Sequence, residues 1–403
     1  MKILILGGAG KMAEAIERDL LDSDLDMEGA DVSEIVIADM NPEALKTRTA
    51  ALQSPKVSSA VIDVTDHDAL VRLMKGKDLV VNAALTPLTL RALKAALEAG
   101  VNIITLVDVV LPTVTAGGAP LDDIGLPTEA FLNQLDEDFS EAGLTAVMGL
   151  GAGPGISSIT GGYFVDKLDS VESIYVYYAG TSLARTSNLF PFSPVGIMRI
   201  YTSEPVVVKD GKLIRVPRQS GKEAVLFPEP IGRCDVFSVL HEEPISFFRS
   251  FKHKGLRNAA TKAGWGPELV SKLEFLDSLG LLDFEPRKVG DVEVVPVQVL
   301  VSGVTFEEVE PQDYSCMKLS IKGEKSGEKL EYVAEVLSHP YKGFAGWQGP
   351  TGISAAIGVR MFLRGDINRK GAFPPEVGVD PELFFAELAK RRIYLSYSIK
   401  YHV

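Results

Sequence analysis

A glycine turn near the start of the chain limits its fold more than any other feature. Lys2–Leu6 is a short apolar run and Gly7-Gly8-Ala9-Gly10 follows it directly; Met12, Ile16 and Leu20 then recur on one face of a helix. A strand, a GxGxxA turn (Gly8, Gly10, Ala13) and an amphipathic helix, in that order, form the phosphate-cradling start of a βαβ unit. Gly8 permits the tight turn, Gly10 lets backbone approach a pyrophosphate, and the small Ala13 lets the helix pack close to the sheet. The helix start at Lys11 and Met12 offers N–H groups and a positive dipole end to phosphates.

The alternation continues downstream. Ile35–Ala38 is a second apolar run ending at Asp39, and Asn41-Pro42 turns into a helix over Glu43–Leu52. Val61–Val64 reads as a third strand, with Asp66 as N-cap of a helix over His67–Lys75. Asp78–Asn82 is a fourth strand, Thr89–Ala99 a helix, and Val101–Leu106 a fifth strand ending near Asp108. Strands alternating with helices imply right-handed crossovers and a parallel, doubly wound sheet.

Asp39 is the candidate ribose ligand, because a carboxylate there hydrogen-bonds both hydroxyls and repels a 2′-phosphate. It lies about 30 positions after Gly10 rather than the usual ~20, the excess being an acidic loop, Asp22–Glu34. Met40-Asn41 brings no adjacent arginine, so NAD is expected over NADP, with Lys46 and Arg48 as the cations that keep NADP open. Asp63, followed by Val64, reads equally as an adenine ligand or a turn cap. Asn82-Ala83-Ala84 ends the fourth strand, where small residues let the central part of a dinucleotide lie against backbone.

Beyond this unit the texture changes. Residues 111–128 are rich in Pro, Gly, Thr and Asp and read as an irregular crossing. A helix (Glu129–Ala142) and a strand (Thr145–Met148) follow. The runs Ser173–Tyr178, Pro205–Val208, Leu213–Val216, Asp291–Val301, Tyr314–Ile321 and Leu330–Leu337 predict a largely antiparallel sheet, with a helix over Gly266–Leu279. Helices over Ile353–Leu363 and Pro381–Lys390 and a strand over Ile393–Ile399 end the chain, and periodicity does not assign them to either domain.

Composition narrows the partners. A net charge of −13 over 403 residues argues against nucleic acid or an anionic membrane surface. No basic leader and no apolar run of about 18 residues is evident, which predicts a cytoplasmic protein. Cys234 and Cys316 lack CxxC spacing and read as reduced thiols. The five histidines (His67, His241, His253, His339 and His402) are scattered, so no metal site is expected.

Several runs, in their order, resemble the saccharopine dehydrogenase-like reductases, with a layout similar to the L-lysine 6-dehydrogenases. They are Asp63-Val64-Thr65-Asp66, Asp78-Leu79-Val80-Val81-Asn82-Ala83 and Gly149-Leu150-Gly151-Ala152-Gly153-Pro154-Gly155-Ile156. The block Tyr201, Glu204-Pro205, Gly211-Lys212, Phe227-Pro228 and Gly232 comes next. Thr351-Gly352-Ile353-Ser354-Ala355-Ala356, Gly371-Ala372-Phe373-Pro374-Pro375-Glu376 and Phe384-Phe385 follow near the end. The resemblance implies an α/β fold in two domains and a homodimer. Residues 1–128 would form the Rossmann dinucleotide-binding domain, joined by the C-terminal segment 350–403. Residues 129–349 would form an α+β substrate-binding and dimerisation domain. It also implies hydride transfer at the C–N bond of an amino acid: oxidative deamination of the terminal amine of L-lysine, or reduction of an imine formed from an amine and an aldehyde. A catalytically silent NAD-binding protein is the third expectation.

Such chemistry needs the reacting carbon oriented against a nicotinamide and a group that manages one proton. Asp108, at the carboxyl end of the fifth strand, lies where α/β sheets present ligands, and it matches the family's aspartate at that strand end. A substrate-amine or nicotinamide-side role and a structural turn both fit it. Pro154-Gly155 opens a helix whose N–H groups, with Ser157 and Ser158, suit an α-carboxylate or else a domain crossover. Arg257 falls where the family carries an arginine in an Arg-Tyr-x-Gly-His run, a bidentate carboxylate clamp by that resemblance. Here the run is Arg257-Asn258-Ala259-Ala260, without the Gly-His. Arg185 is a second candidate clamp, and Trp265 and Trp347 read as pocket walls or packing residues.

Overall fold

The computed structural model describes residues 1–25, 29–84, 86–111, 118–181, 194–303 and 312–401. They form two units: Met1–Lys167 with Gln348–Arg391, and Leu168–Trp347 with Arg392–Val403.

The first unit runs β1 (Lys2–Leu6), α1 (Lys11–Leu21), β2 (Glu34–Asp39), α2 (Pro42–Leu52), β3 (Val57–Val61), α3 (His67–Met74), β4 (Leu79–Asn82), α4 (Thr89–Ala99), β5 (Asn102–Thr105), α5 (Glu129–Glu141), β6 (Thr145–Met148) and α6 (Ile156–Val165). Its seven strands are parallel, in the order β17-β6-β5-β4-β1-β2-β3, where β17 is Gly371–Phe373. β1 reads as a continuous apolar run because Ile3–Leu6 are fully buried at the centre of the sheet. Leu6 registers with Ala38 of β2 and Asn82 of β4, so the carboxyl ends of these three strands lie level. Strand order reverses between β1 and β4, which makes this end the switch point where α/β sheets bind ligands.

Two expectations for this part are corrected. The third strand is Val57–Val61, earlier than the expected Val61–Val64, which leaves Asp63 and Val64 beyond its end. The domain boundary falls at Lys167 rather than 128, because β6 pairs with β5 (Ile104↔Val147) and extends the parallel sheet. The Gly371–Phe373 segment is a strand that pairs with β6 on its other side.

The second unit contains β7 (Ser170–Gly180), α7 (Pro194–Thr202), β8 (Val206–Lys209), β9 (Lys212–Arg215), β10 (Glu223–Leu226), β11 (Arg233–Ser238), α8 (Glu243–Phe251), β12 (Asn258–Gly264), α9 (Pro267–Ser278), β13 (Arg287–Val289), β14 (Val292–Val294), α10 (Pro296–Ser302), β15 (Ser315–Lys325) and β16 (Glu328–Ser338). The chain then crosses to the first unit for α11 (Gln348–Arg364), β17 and α12 (Pro381–Lys390), and returns with β18 (Ile393–Tyr401). The nine-stranded sheet has the path β10-β11-β12-β7-β15-β16-β18 and is antiparallel apart from the β12–β7 pair. The expected strand over Asp291–Val301 is two elements. Pro296 cannot continue a ladder but suits the first turn of a helix, so β14 stops and α10 begins there. The tail also divides, since β18 joins the second unit while α11 and α12 belong to the first.

Candidate active site

The glycine turn is built as its spacing requires, with one exchange of roles. Gly7, not Gly8, takes the left-handed conformation (φ +71°), and a Cβ there would stand 2.8 Å from the Ala83 carbonyl. Gly8 is needed for close approach instead. Its N–H donates to Ala38 O (3.0 Å), and a Cβ would meet Ile37 Cβ at 2.7 Å. Gly10 is the N-cap of α1 and supplies no capping side chain, so the helix start at Lys11 and Met12 presents its N–H groups without a side-chain cap. These features fit a dinucleotide pyrophosphate.

Asp39 stands half-buried at the end of β2. Its Oδ2 accepts from Ala9 N (3.3 Å) and its Oδ1 from Asn41 N (3.1 Å), which fixes the carboxylate beside the turn. Met40 is 72% exposed. Arg48 is committed elsewhere: Nη1 pairs with Glu14 at 2.7 Å, and Nη2 donates to the carbonyls of Ala9 and Gly10, each at 3.4 Å. Asn82 is buried, accepting from Ala84 N (3.3 Å) and donating to Thr89 Oγ1 (3.4 Å), while Ala83 N donates to Leu6 O (3.0 Å). Asp63 is an exposed turn residue whose Oδ1 accepts from Thr65 Oγ1 (2.7 Å) and Thr65 N (2.8 Å). Those two bonds hold its carboxyl below the usual range. Val64 beside it is buried.

Asp108 is 1% exposed, and its Oδ1 accepts from Val109 N at 2.6 Å. The Pro154-Gly155 helix start differs from a carboxylate cradle. Ile156 N donates to Gly151 O (3.0 Å) and Ser157 N to Ala152 O (3.1 Å), so the loop's own carbonyls occupy the N–H groups expected to face an anion. Ser157 and Ser158 are fully buried, and Ser158 Oγ accepts from Gly155 N at 3.3 Å. Gly155 has φ +126°, and a Cβ there would collide with Gly151 O. This segment is a tight β6–α6 crossover.

Arg257 opens β12 from the surface. Its side chain is 66% exposed and stands 3.7 Å from Asp210, a surface ion pair of little energetic weight. Arg185 lies outside the described residues. Trp265 packs between Tyr201 (6.0 Å, stacked) and Phe237 (5.5 Å, edge-on), whereas Trp347 stands edge-on to Tyr178 at 5.4 Å.

A cluster in the second unit went unread in the sequence. His241 is not isolated: its Nδ1 lies 2.5 Å from Glu243 Oε2 and 3.3 Å from Glu242 Oε2, at the start of α8. Glu243 also accepts from Thr261 Oγ1 of β12 (3.3 Å) and from the Tyr178 hydroxyl of β7. The only sequence signal is a histidine before two glutamates at a helix start, which describes a solvated N-terminus equally well.

The saccharopine dehydrogenase NADP binding domain model matches residues 3–147, and the saccharopine dehydrogenase C-terminal domain model matches residues 151–393. Among curated proteins, carboxyaminopropylagmatine dehydrogenase of Synechocystis sp. is 24% identical over 374 residues, 89% of this chain and 90% of that protein. Carboxynorspermidine synthase of Vibrio alginolyticus is 25% identical over 351 residues, 82% of this chain and 80% of that protein. Two solved structures share the fold. Apo saccharopine dehydrogenase (L-Glu forming) from Saccharomyces cerevisiae has a TM-score of 0.70 at 15% identity, covering 99% of each chain. Homospermidine synthase from Legionella pneumophila, in complex with NAD, has a TM-score of 0.63 at 13% identity, covering 100% of this chain and 91% of that one. With two family models spanning nearly its whole length and a glycine turn that fits a dinucleotide, the chain belongs to the saccharopine dehydrogenase family as a nicotinamide-dependent oxidoreductase.

Proposed function

We propose that this protein reduces the imine formed between an amine and a carbonyl compound to a secondary amine, with NAD as its nucleotide. The observation that carries the reaction is the end-to-end likeness to two enzymes named for carboxylated polyamine-type compounds, an agmatine and a norspermidine skeleton. Neither name is that of a lysine deaminase, so of the two enzymatic expectations the imine reductase takes precedence over lysine 6-dehydrogenation. The bound nicotinamide supplies or accepts the hydride. Gly8, Gly10, Lys11 and Met12 hold its pyrophosphate, Asp39 its ribose, and Asn82, Ala83 and Ala84 line the backbone beside it. Asp108, a buried carboxylate just past β5, is the residue assigned to the substrate amine.

NAD is preferred over NADP in this reading because Asp39 is held at the turn, where its charge repels a 2′-phosphate. Arg48, a cation beside the turn, is occupied by Glu14 and two carbonyls. The test is a matrix of amines and aldehydes, each alone and in pairs, with oxidation of NADH and NADPH followed optically. Oxidation only with pairs, faster with NADH, is the expected result. Lysine-dependent NADH formation without a carbonyl partner would restore the deaminase reading, and a preference for NADPH would return Asp39 to a structural role.

A further inference from the structure

We infer that β18 is an interface between two copies of this chain, which pair edge to edge about a two-fold axis at Tyr397. The inference is independent of the reductase reading and stands on the second unit alone.

β18 ends the path of the nine-stranded sheet, and among the described residues it pairs with β16 alone. Its outer row of N–H and C=O groups meets no other strand among them, which makes it a template for one more. Soluble proteins blunt such edges with short strands, prolines, bulges or charges. β18 uses almost none of these. It is nine residues long, runs against β16 without a register shift, contains no proline or glycine, and carries one charge, Lys400. The opposite end of the sheet is guarded. There β10 is four residues long and begins with Glu223. β9, which pairs only with β8, is also four residues long and carries Lys212 and Arg215. One unguarded edge per chain specifies a pair, because two-fold pairing uses both edges and leaves none for a third copy.

The side chains identify the occupant. Tyr397 and Ile399 stand opposite Ala334 and Tyr332 of β16, both buried, so they carry the sheet's apolar face out to its edge. On that edge Tyr397, Ile399 and Tyr401 are 41% to 62% exposed. The strand is also complementary to itself. Tyr397 is the fifth of its nine residues, so antiparallel pairing of two copies centred there uses the whole strand. It sets Ile399 against Leu395, Tyr401 against Ile393, and Tyr397 against the second copy's Tyr397, all on the apolar face. On the other face Ser396 meets Ser398 and Tyr394 meets Lys400. Aromatic and aliphatic side chains therefore oppose one another, hydroxyls oppose hydroxyls, and no two like charges meet. Lys400 lies 3.7 Å from Glu331 of its own chain and would face a tyrosine rather than a second lysine. A foreign strand would need its own matching pattern, whereas a second copy supplies it by symmetry. β18 lies outside residues 129–349, the segment expected to dimerise.

The test measures mass in solution by sedimentation and register by cross-linking. Wild type at micromolar concentration should sediment with the mass of two chains. Tyr397→Lys combined with Ile399→Lys brings like charges together at the axis and should weaken association by at least about tenfold, with an unchanged circular dichroism spectrum. Tyr397→Cys should form a disulfide-linked dimer on mild oxidation, because directly opposed Cα atoms of an antiparallel pair lie about 4.5–5.5 Å apart. Tyr394→Cys should not, since the two copies of that position stand six residues apart in this register, about 20 Å along the strand. A monomeric wild type overturns the inference. So does a dimer that the lysine substitutions leave intact, or a Tyr397→Cys chain that links no better than Tyr394→Cys. The wild-type mass and the cross-linking pattern decide the matter even where the lysine variant fails to fold.

Discussion

At the scale of single residues, the least expected group is Glu17. It is fully buried on α1, its two oxygens accept no hydrogen bond from a described residue, and the nearest cation, Arg48 Nε, is 3.8 Å away. Burial pushes its carboxyl up to about 8, with Arg48 opposing and Glu14 adding. A raised acid holds its proton in the native state from the unfolded value of 4.5 up to about 8. Stability is therefore full at low pH and falls through that window, by at most about 1.4 kcal/mol per pH unit. Glu17→Gln keeps the neutral shape, so it should match wild type near pH 4.5 and exceed it by about 2–4 kcal/mol at pH 8. Urea unfolding at both values measures this, and a difference that does not grow with pH sinks it. Residues of the glycine turn were readable in the sequence because their strand–glycine–helix spacing is local, although the backbone that Gly7 and Gly8 approach, at Ala83 and Ala38, lies far along the chain. The His241–Glu243 pair was not, because Tyr178 lies 65 positions from Glu243 and Thr261 lies 18. Arg257 misled for the same reason in reverse: a family position was filled, but the local fold leaves the side chain on the surface.

At the scale of elements, the strand–helix alternation of the first unit could be read because α1, α3, α4 and α5 each show one apolar face. What could not be read were sites where two patterns compete. The apolar run around residues 57–64 allows several strand frames, and pairing with β2 (Asp39↔Val61) selects one. Helix packing gives a sharper test. Gly352 on α11 lies against α1, where a Cβ would stand 2.5 Å from Ala15 Cβ and 2.6 Å from Met12 O. One of those atoms is backbone and the other belongs to a fully buried alanine, so neither yields without moving a helix. Gly352→Ala gains about 1 kcal/mol of helix propensity but loses typically 1–3 kcal/mol to overpacking. A net destabilisation is expected, as a lower melting temperature. Because α1 begins at the glycine turn, nucleotide affinity should weaken with it. A variant as stable as wild type would mean that the two helices separate freely.

At the scale of the whole molecule, the chain makes and completes its units out of order. The first unit is interrupted at Lys167 and resumes at Gln348, and the second is completed only by β18 after Arg391. Arg391 ends the first unit's return, fully buried, with Nη2 donating to Asp19 Oδ1 (3.0 Å) and Nη1 to Glu387 Oε2 (2.8 Å). The next residues cross over, and β18 pairs with β16 from Ile393↔Ser338 to Tyr401↔Leu330. The tail's amphipathic pattern marks a strand, but only register along β16 decides which sheet takes it, so the domain assignment of 350–403 could not be reached from periodicity. Ending the chain after Arg392 keeps the buried Asp19–Arg391–Glu387 ties and removes only β18. The amides of β16 that face β18 would then lose their partners, and Leu330, Tyr332 and Val336, now buried, would sit in an exposed edge strand. Hydrogen exchange should accelerate by at least about tenfold in β16, while β1, β4 and β5 keep their protection. Acceleration spread evenly over both sheets would show that the two units unfold as one cooperative block, and unchanged exchange in β16 would show that β18 contributes nothing to its stability.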